Sequence, residues 1–166
     1  TSLRVAGDAL NEAILKYLKQ VYNLGIGEPT AERIKIEIGS AYPLEEELLK
    51  EVRGRDTVAG LPRTVNVRSE EIRESLRDPL EQLIKAIMST LERTQPELCA
   101  DLVEGGITLA GGGALLRGLD RLIARETGLP VRRADDPLTS VARGTGVVLD
   151  QIDTFWNVLE NGHDLG

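Results

Sequence analysis

Apolar and polar positions along the chain alternate between two periods, and the switches between them lay out the elements. From Asp8, the residues Leu10, Ile14, Tyr17, Leu18 and Val21 recur at helical spacing, with Lys16, Lys19 and Gln20 opposite. That predicts an amphipathic helix capped at Asp8. "NLGIGEPT" breaks it, and Pro29 suits the first turn of a second helix, whose stripe of Ala31, Ile34 and Ile38 runs to about Ala41. Over 46–68 the period shortens around Val52 and around Val65 and Val67, with Gly60 and Pro62 between, which reads as a two-stranded hairpin with a loose turn. Ser69 is placed to cap the next helix, and Glu70 and Glu71 lie in its first turn, where the helix dipole favours acids.

Pro79 predicts a kink or a restart in that helix. Beyond it, Leu80, Leu83, Ile84, Ile87, Met88 and Leu91 form an apolar face of the kind that fills a core. A short helix after Pro96 ends at Gly105–Gly106, and a strand follows over 107–110. Three glycines lead from it into a helix expected from about Leu115 to Thr127, with Gly128 as its stop. A brief strand around Val131 precedes Asp136 and Pro137, a helix-start signal. The last helix, 137–152, is expected to bury Leu138, Val141, Ala142, Val148 and Ile152. The order is α/β with a smaller α+β insertion. The boundaries are a larger unit of 1–26 and 91–152, an insertion of 27–90, and a tail of 153–166 in which Phe155 and Trp156 pack or lie loose and His163 is passive.

Composition narrows the classes. A chain of 166 residues forms one ordinary domain, or two small lobes sharing a core, and needs no disulfide or metal staple. Aromatics make up 3%, so the core must come from Leu, Ile, Val and Ala. A net charge of −7 argues against nucleic acid as a partner, since phosphate neutralisation needs a basic face. Arg53, Arg55, Arg63 and Arg68 read as a solvated hairpin face. Cys99 is the single cysteine, expected to be buried and inert in a reducing cytoplasm. No apolar run approaches the ~20 residues of a membrane span. "TSLRVAG" reads as a strand already under way, so the chain is expected to be a piece of a longer protein.

The candidate chemistry sits in "ITLAGGGALLRGL", residues 107–119. Glycines between strand and helix allow a tight turn and let a ligand approach the backbone, and a helix start presents free N–H groups to an anion. No Gly-Lys-Ser/Thr follows and the GxGxxG spacing is absent, so this is neither a P-loop nor a dinucleotide fingerprint. A plain tight turn explains the motif equally well. Glu32 and Lys35 form a second candidate, adjacent on one helix face. A carboxylate can accept ribose hydroxyls and a lysine stem can cover a base, but an isolated surface ion pair would look the same.

Three stretches agree with one family: "IGEPTAERIKIEIGSAYP" (26–43), "VRGRDTVAGLPRTVNV" (52–67) and "ITLAGGGALLRGLDRLIARETGLPVRRADDPLTSVARGTG" (107–146). They resemble the bacterial actin-like cell-shape family, MreB, in its second large domain. The likeness runs from Thr1 to about Ile152. The resemblance implies an α/β, actin-like (ribonuclease H-like) ATPase domain half with a smaller α+β insertion subdomain. It implies ATP with Mg in a cleft, Gly111, Gly112, Gly113 and Ala114 along the ribose and α-phosphate, and Pro29, Thr30, Ala31 and Glu32 on the adenosine side. Glu32 matches the ribose-binding glutamate and Lys35 the base-covering position. Expected partners are further copies in a filament, cell-wall synthesis proteins, membrane proteins and, through a missing half, the membrane surface. The expected location is cytoplasmic, peripheral at the inner face of the cell membrane.

The sequence also departs from the family pattern. It holds no Asp-x-Gly-Thr and no Asp-Gly-Gly-Gly stretch, the hairpins that hold β- and γ-phosphates. The chain is therefore expected to be a C-terminal half that supplies the adenosine side of the cleft and neither hydrolyses nor usefully binds ATP alone, while its parent is a weak ATPase. Half of a sugar kinase or chaperone-type ATPase, and a nucleotide-indifferent interaction module of the same fold, are the alternatives.

Overall fold

A computed structural model describes residues 7–152 and 154. Helix α1 (Gly7–Tyr22) turns Leu10, Asn11, Ile14 and Leu18 inward, and the short β1 (Leu24–Gly25) follows. Helix α2 (Glu28–Ile38) starts after Gly27, with Pro29 in its first turn as the sequence predicts, and buries Ala31, Ile34 and Ile38. It ends at Ile38 rather than Ala41. The Gly39 amide returns to the Lys35 carbonyl, and Ser40 and Ala41 turn away to meet Arg117.

The hairpin stands where alternation places it: β2 (Leu49–Asp56) pairs antiparallel with β3 (Pro62–Arg68), Val52 opposite Val65. β1 adds to the outer edge of β2, completing a three-stranded sheet of order β1-β2-β3. Val52 and Val67 close its inner face over the helices. The hairpin arginines are solvated but not idle. Arg53 pairs with Glu51, Arg55 donates to the Gly60 carbonyl, and Arg63 donates to Asp56 and the Tyr22 carbonyl.

Ser69 does not cap. It is the first residue of α3 (Ser69–Ser75), fully buried, with Oγ accepting the Leu48 amide and donating to Glu47. The start of α3 is closed instead by Glu71, whose carboxylate accepts the Arg68 amide at 2.8 Å. Leu76 separates α3 from α4 (Arg77–Glu92), so Pro79 marks a restart and lies in the new first turn. Of the apolar face of α4, Leu80 is buried, Leu83, Ile84 and Ile87 are half-covered and Met88 is exposed.

The remaining third is thinner. Helix α5 (Pro96–Gly105) leads to β4 (Ile107–Leu109), which pairs in parallel with β5 (Val131–Arg133). Between them lie a single 3-10 turn, Gly112–Leu115, and helix α6 (Leu119–Thr127). The α-helix therefore begins four residues later than the sequence suggests, because Gly118 adopts a left-handed conformation (φ 71°) and restarts the chain there. Helix α7 (Ser140–Asp150) buries nothing. Leu138, Val141 and Ile152, expected in the core, are 66%, 70% and 38% exposed, Ala142 is exposed and Val148 half-covered. Periodicity fixes which side chains share a face, but burial needs a second surface, and none of the described residues supplies one. Val21, at 54%, is exposed for the same reason, and Cys99 is half-buried rather than buried. The expectations for the strand at Thr1 and for Phe155, Trp156 and His163 lie outside the described residues.

One continuous core runs from Leu10, Ile14 and Leu18 through Ile34, Val52, Val67, Ile72 and Leu76 to Leu116, Leu119 and Ile123. At its edge, Arg73 of α3 donates to Ser40 Oγ at 3.0 Å and to Glu47 at 2.6 Å, and Glu47 is held below its ordinary range chiefly by that guanidinium. Arg117 does similar work for α2. Its guanidinium donates to the Ile36 carbonyl at 2.8 Å, and its own carbonyl accepts the Ala41 amide at 2.7 Å.

Candidate functional site

The two elements singled out by chemistry meet. Glu32 and Lys35 of α2 face Gly112 and Gly113 across a cavity of about 630 Å³, whose polar rim also includes Gly7 and Asp8 of α1. Leu80, Leu83 and Leu116 give it an apolar floor. Pockets of 300–1,000 Å³ that are mostly apolar with a few convergent polar groups are what small ligands occupy. A larger groove of about 720 Å³ lies beyond Tyr42, but Arg73, Glu74, Arg77 and Glu126 line it and none of the expected site residues does.

The rest of the expected set is placed differently. Thr30 opens on a separate groove beside β2, with Arg33 and Lys50. Ala31 and Ala114 are buried. Pro29 and Gly111 do not line the cavity, although each shapes a neighbour that does.

The glycines differ in why they are glycines. Gly111 needs a φ of +79°, and its amide donates to the Pro137 carbonyl at 2.7 Å, anchoring the loop. A side chain there would be strained. Gly112 and Gly113 carry no such constraint. A Cβ on Gly113 would meet nothing within 4 Å, and one on Gly112 only the tip of Leu138 at 3.7 Å. The fold does not require these two positions to be bare, yet they are, and they face the cavity. A surface without side chains permits close approach to the backbone. The site does not sit at the start of an α-helix, because α6 begins only at Leu119. What the loop offers is the exposed backbone of one 3-10 turn.

Across the cavity, Lys35 Nζ donates to Glu32 Oε2 at 2.6 Å and to the Gly7 carbonyl at 3.3 Å. Its side chain is only 12% exposed, against 44% for Glu32. Lys35 is thus folded back as a clamp on Glu32 rather than extended over the cavity. Asn11 Nδ2 adds a second donor to the same oxygen at 2.7 Å. The hydrogen bond from Lys35, then that from Asn11, hold the Glu32 carboxyl below its ordinary range against the opposing effect of burial. The result is an ionised acceptor at the rim, ready for hydroxyl or amide donors. Sequence reasoning missed Asn11, which looks like a polar residue on the wrong side of an amphipathic helix. Its spacing of three to Ile14 and seven to Leu18 was the signal available.

Comparison with known proteins gives the same direction. The family described as MreB/Mbl protein matches residues 1–157. The chain is 53% identical over 153 residues to the cell shape-determining protein MreB of Escherichia coli (strain K12), covering 92% of this chain and 44% of that one. It superposes on the crystal structure of MreB5 of Spiroplasma citri bound to AMPPNP with a TM-score of 0.88 at 38% identity, over 98% of this chain and 48% of the other. The MamK double helical filament matches at a TM-score of 0.67 and 25% identity, over 82% of this chain and 42% of that one. The fold is that of the actin-like ATPases.

These matches correct two expectations. Nearly the whole chain is matched, residues 1–157 by the family and 98% in the superposition. They support an MreB-like cytoskeletal protein, and they do not support the description as a C-terminal half or half-domain that is not competent alone. That description rests on where the sequence starts and on two phosphate-binding stretches it does not contain, and neither is a property of the folded site. The chain spans about half the length of the relatives it matches.

Proposed function

The chain belongs to the MreB/Mbl protein family, and from that premise we propose that it is an actin-like, nucleotide-binding protein of a filament-forming cytoskeleton that maintains rod cell shape by organising cell-wall synthesis. ATP is its ligand. The observation that carries this reading is the pair of bare glycines, Gly112 and Gly113, facing an ionised Glu32 across one cavity of about 630 Å³. The adenosine lies in that cavity, Glu32 accepts the ribose hydroxyls, and the Gly112–Gly113 backbone passes along the sugar and first phosphate. Lys35 contributes by fixing Glu32. Gly111 and Ala114 set the turn, and Pro29, Thr30 and Ala31 set the start of α2, so the expected set works partly through its neighbours. The relative bound to AMPPNP supports the choice of nucleotide. Magnesium would accompany the nucleotide, held largely by its phosphates and water, and no residue of this chain is assigned to it.

Self-association follows the family pattern, in which one surface meets a different surface of the next copy and the contact does not close. The solved MamK filament supports that reading. Cell-wall synthesis proteins and membrane proteins are its further partners, at the cytoplasmic face of the membrane. Among the described residues no helix is long and apolar enough to cross a membrane. The chain divides into a larger unit of 1–26 and 91–152 and an insertion of 27–90.

Isothermal titration of the natural protein carrying this sequence tests the reading. Gly112→Val and Glu32→Ala should each weaken ATP binding, the valine by about 100-fold because it fills the approach to the backbone. Unchanged affinity in both would favour a nucleotide-indifferent module.

A further inference from the structure

Asn11 is 4% exposed, in the second turn of α1, among residues that otherwise make the hydrophobic core. Only the nitrogen of its amide is engaged. Nδ2 donates to Glu32 Oε2 at 2.7 Å, while Oδ1, enclosed by the fold, has no hydrogen-bond partner among the described residues. A buried acceptor left unpaired is destabilising, and an apolar residue of similar volume would avoid that cost. The stability of α1 therefore does not explain an asparagine here. What the side chain does is reach across to α2 and hold a carboxylate.

The way it holds Glu32 is specific. Asn11 and Lys35 both donate to Oε2, at 2.7 and 2.6 Å, and no described residue donates to Oε1. One oxygen is fixed from two directions while the other receives no donor from the described residues, on a side chain that lines the cavity and is 44% exposed. Lys35 alone could not set this orientation, because its flexible stem shares its ammonium with the Gly7 carbonyl. Asn11 approaches from a different helix on a short side chain and is neutral, so it fixes the carboxylate without a second opposing charge.

We infer that Asn11 is a positioning residue for sugar recognition: by pinning Glu32 Oε2 it keeps Oε1 pre-set for the ribose hydroxyls of the nucleotide, and so favours ligands that carry them. This rests on the reading of the cavity as an ATP site. The physical basis is preorganisation. A glutamate already held in its binding rotamer loses little freedom when the sugar arrives, and an acceptor built for a hydroxyl discriminates against a sugar that lacks one.

The test compares ATP with 2′,3′-dideoxy-ATP, which lacks both ribose hydroxyls, by titration into the natural protein and into Asn11→Leu, Asn11→Ala and Glu32→Gln. The unsubstituted protein should prefer ATP by about tenfold or more. In Asn11→Leu that preference should fall to within about twofold, through weaker ATP binding, with dideoxy-ATP affinity nearly unchanged. Asn11→Ala, which adds no bulk, should do the same, and thermal melting checks that each variant is folded. Equal weakening of both nucleotides would make Asn11 merely structural and overturn the inference, as would loss of the fold in both variants. If Glu32→Gln abolishes the preference while both Asn11 variants keep it, the inference about Asn11 fails and the ATP reading stands. Absence of any preference in the unsubstituted protein overturns the ribose role of Glu32 and this inference together.

Discussion

The two walls of the cavity are built to different standards. On one side, α1, α2, α3 and the hairpin share a core in which Ile14, Leu18, Ile34, Ile72 and Leu76 are fully enclosed. Charged side chains at its edge are paired: Arg73 with Glu47, Lys35 with Glu32. On the other side, β4 and β5 are three residues each, and α5 and α7 bury nothing. Glu32 belongs to the first region, and Gly112 and Gly113 to the second. The comparison teaches that the proposed site would combine an acceptor fixed by Asn11 and Lys35 with a thin backbone surface. The rigid side gives direction, and the bare side gives access.

Several substitutions would break or sharpen that contrast. The largest effect is expected at Ile34, where truncation to alanine should lower unfolding stability by about 2–5 kcal/mol in chemical denaturation. Val141→Ala on α7, by the same chemistry, should change it by less than about 0.5 kcal/mol, since Val141 is 70% exposed. Comparable losses at both would erase the distinction between the regions. Gly112→Val should reverse the pattern, costing about 100-fold in ATP affinity while leaving the melting temperature nearly unchanged, because a Cβ there meets only Leu138 at 3.7 Å.

Arg73→Ala should destabilise by about 2 kcal/mol, as Glu47 and Ser40 lose their shared partner. The same carboxylates set the acid limit. Glu32 and Glu47 are held below their ordinary value of 4.5 in the folded protein. Each therefore contributes stability that is complete above that value and is lost as pH falls through the folded one. Denaturation followed from pH 7 downward should show stability declining from about pH 5, and Glu47→Gln should flatten part of that decline. The smallest effect is spectroscopic. Tyr22 donates to Glu71 at 2.5 Å, which together with burial pushes its phenol up to about 12. Ultraviolet titration should find it ionising late, near 12, and Glu71→Gln should bring it down. Because the fold favours the neutral phenol, this contribution is present below pH 10 and lost as pH rises toward 12.

Legibility in the sequence followed the same division. The hairpin was readable because a period of two specifies which residues face inward, and Val52 and Val67 do. The start of α2 was readable because Pro29 has a local steric reason to stand there. Ser69 misled, because a serine before two glutamates has the local signature of a cap, while its hydroxyl is claimed by Leu48 and Glu47 from another part of the chain. Leu138 and Val141 misled for the converse reason: their pattern is that of a buried face, and no described residue covers it.

By itself the sequence determined the elements, the glycine bend and the acidic pair on α2, because each depends on backbone sterics and residue spacing within a few positions. Only the tertiary structure decided that Glu32 and Gly112 share a cavity, that Lys35 folds back instead of reaching out, and that a buried amide from α1 holds the carboxylate. Those outcomes depend on which surfaces meet across long separations in the chain, where hydrogen bonds and burial are settled by packing rather than by local pattern.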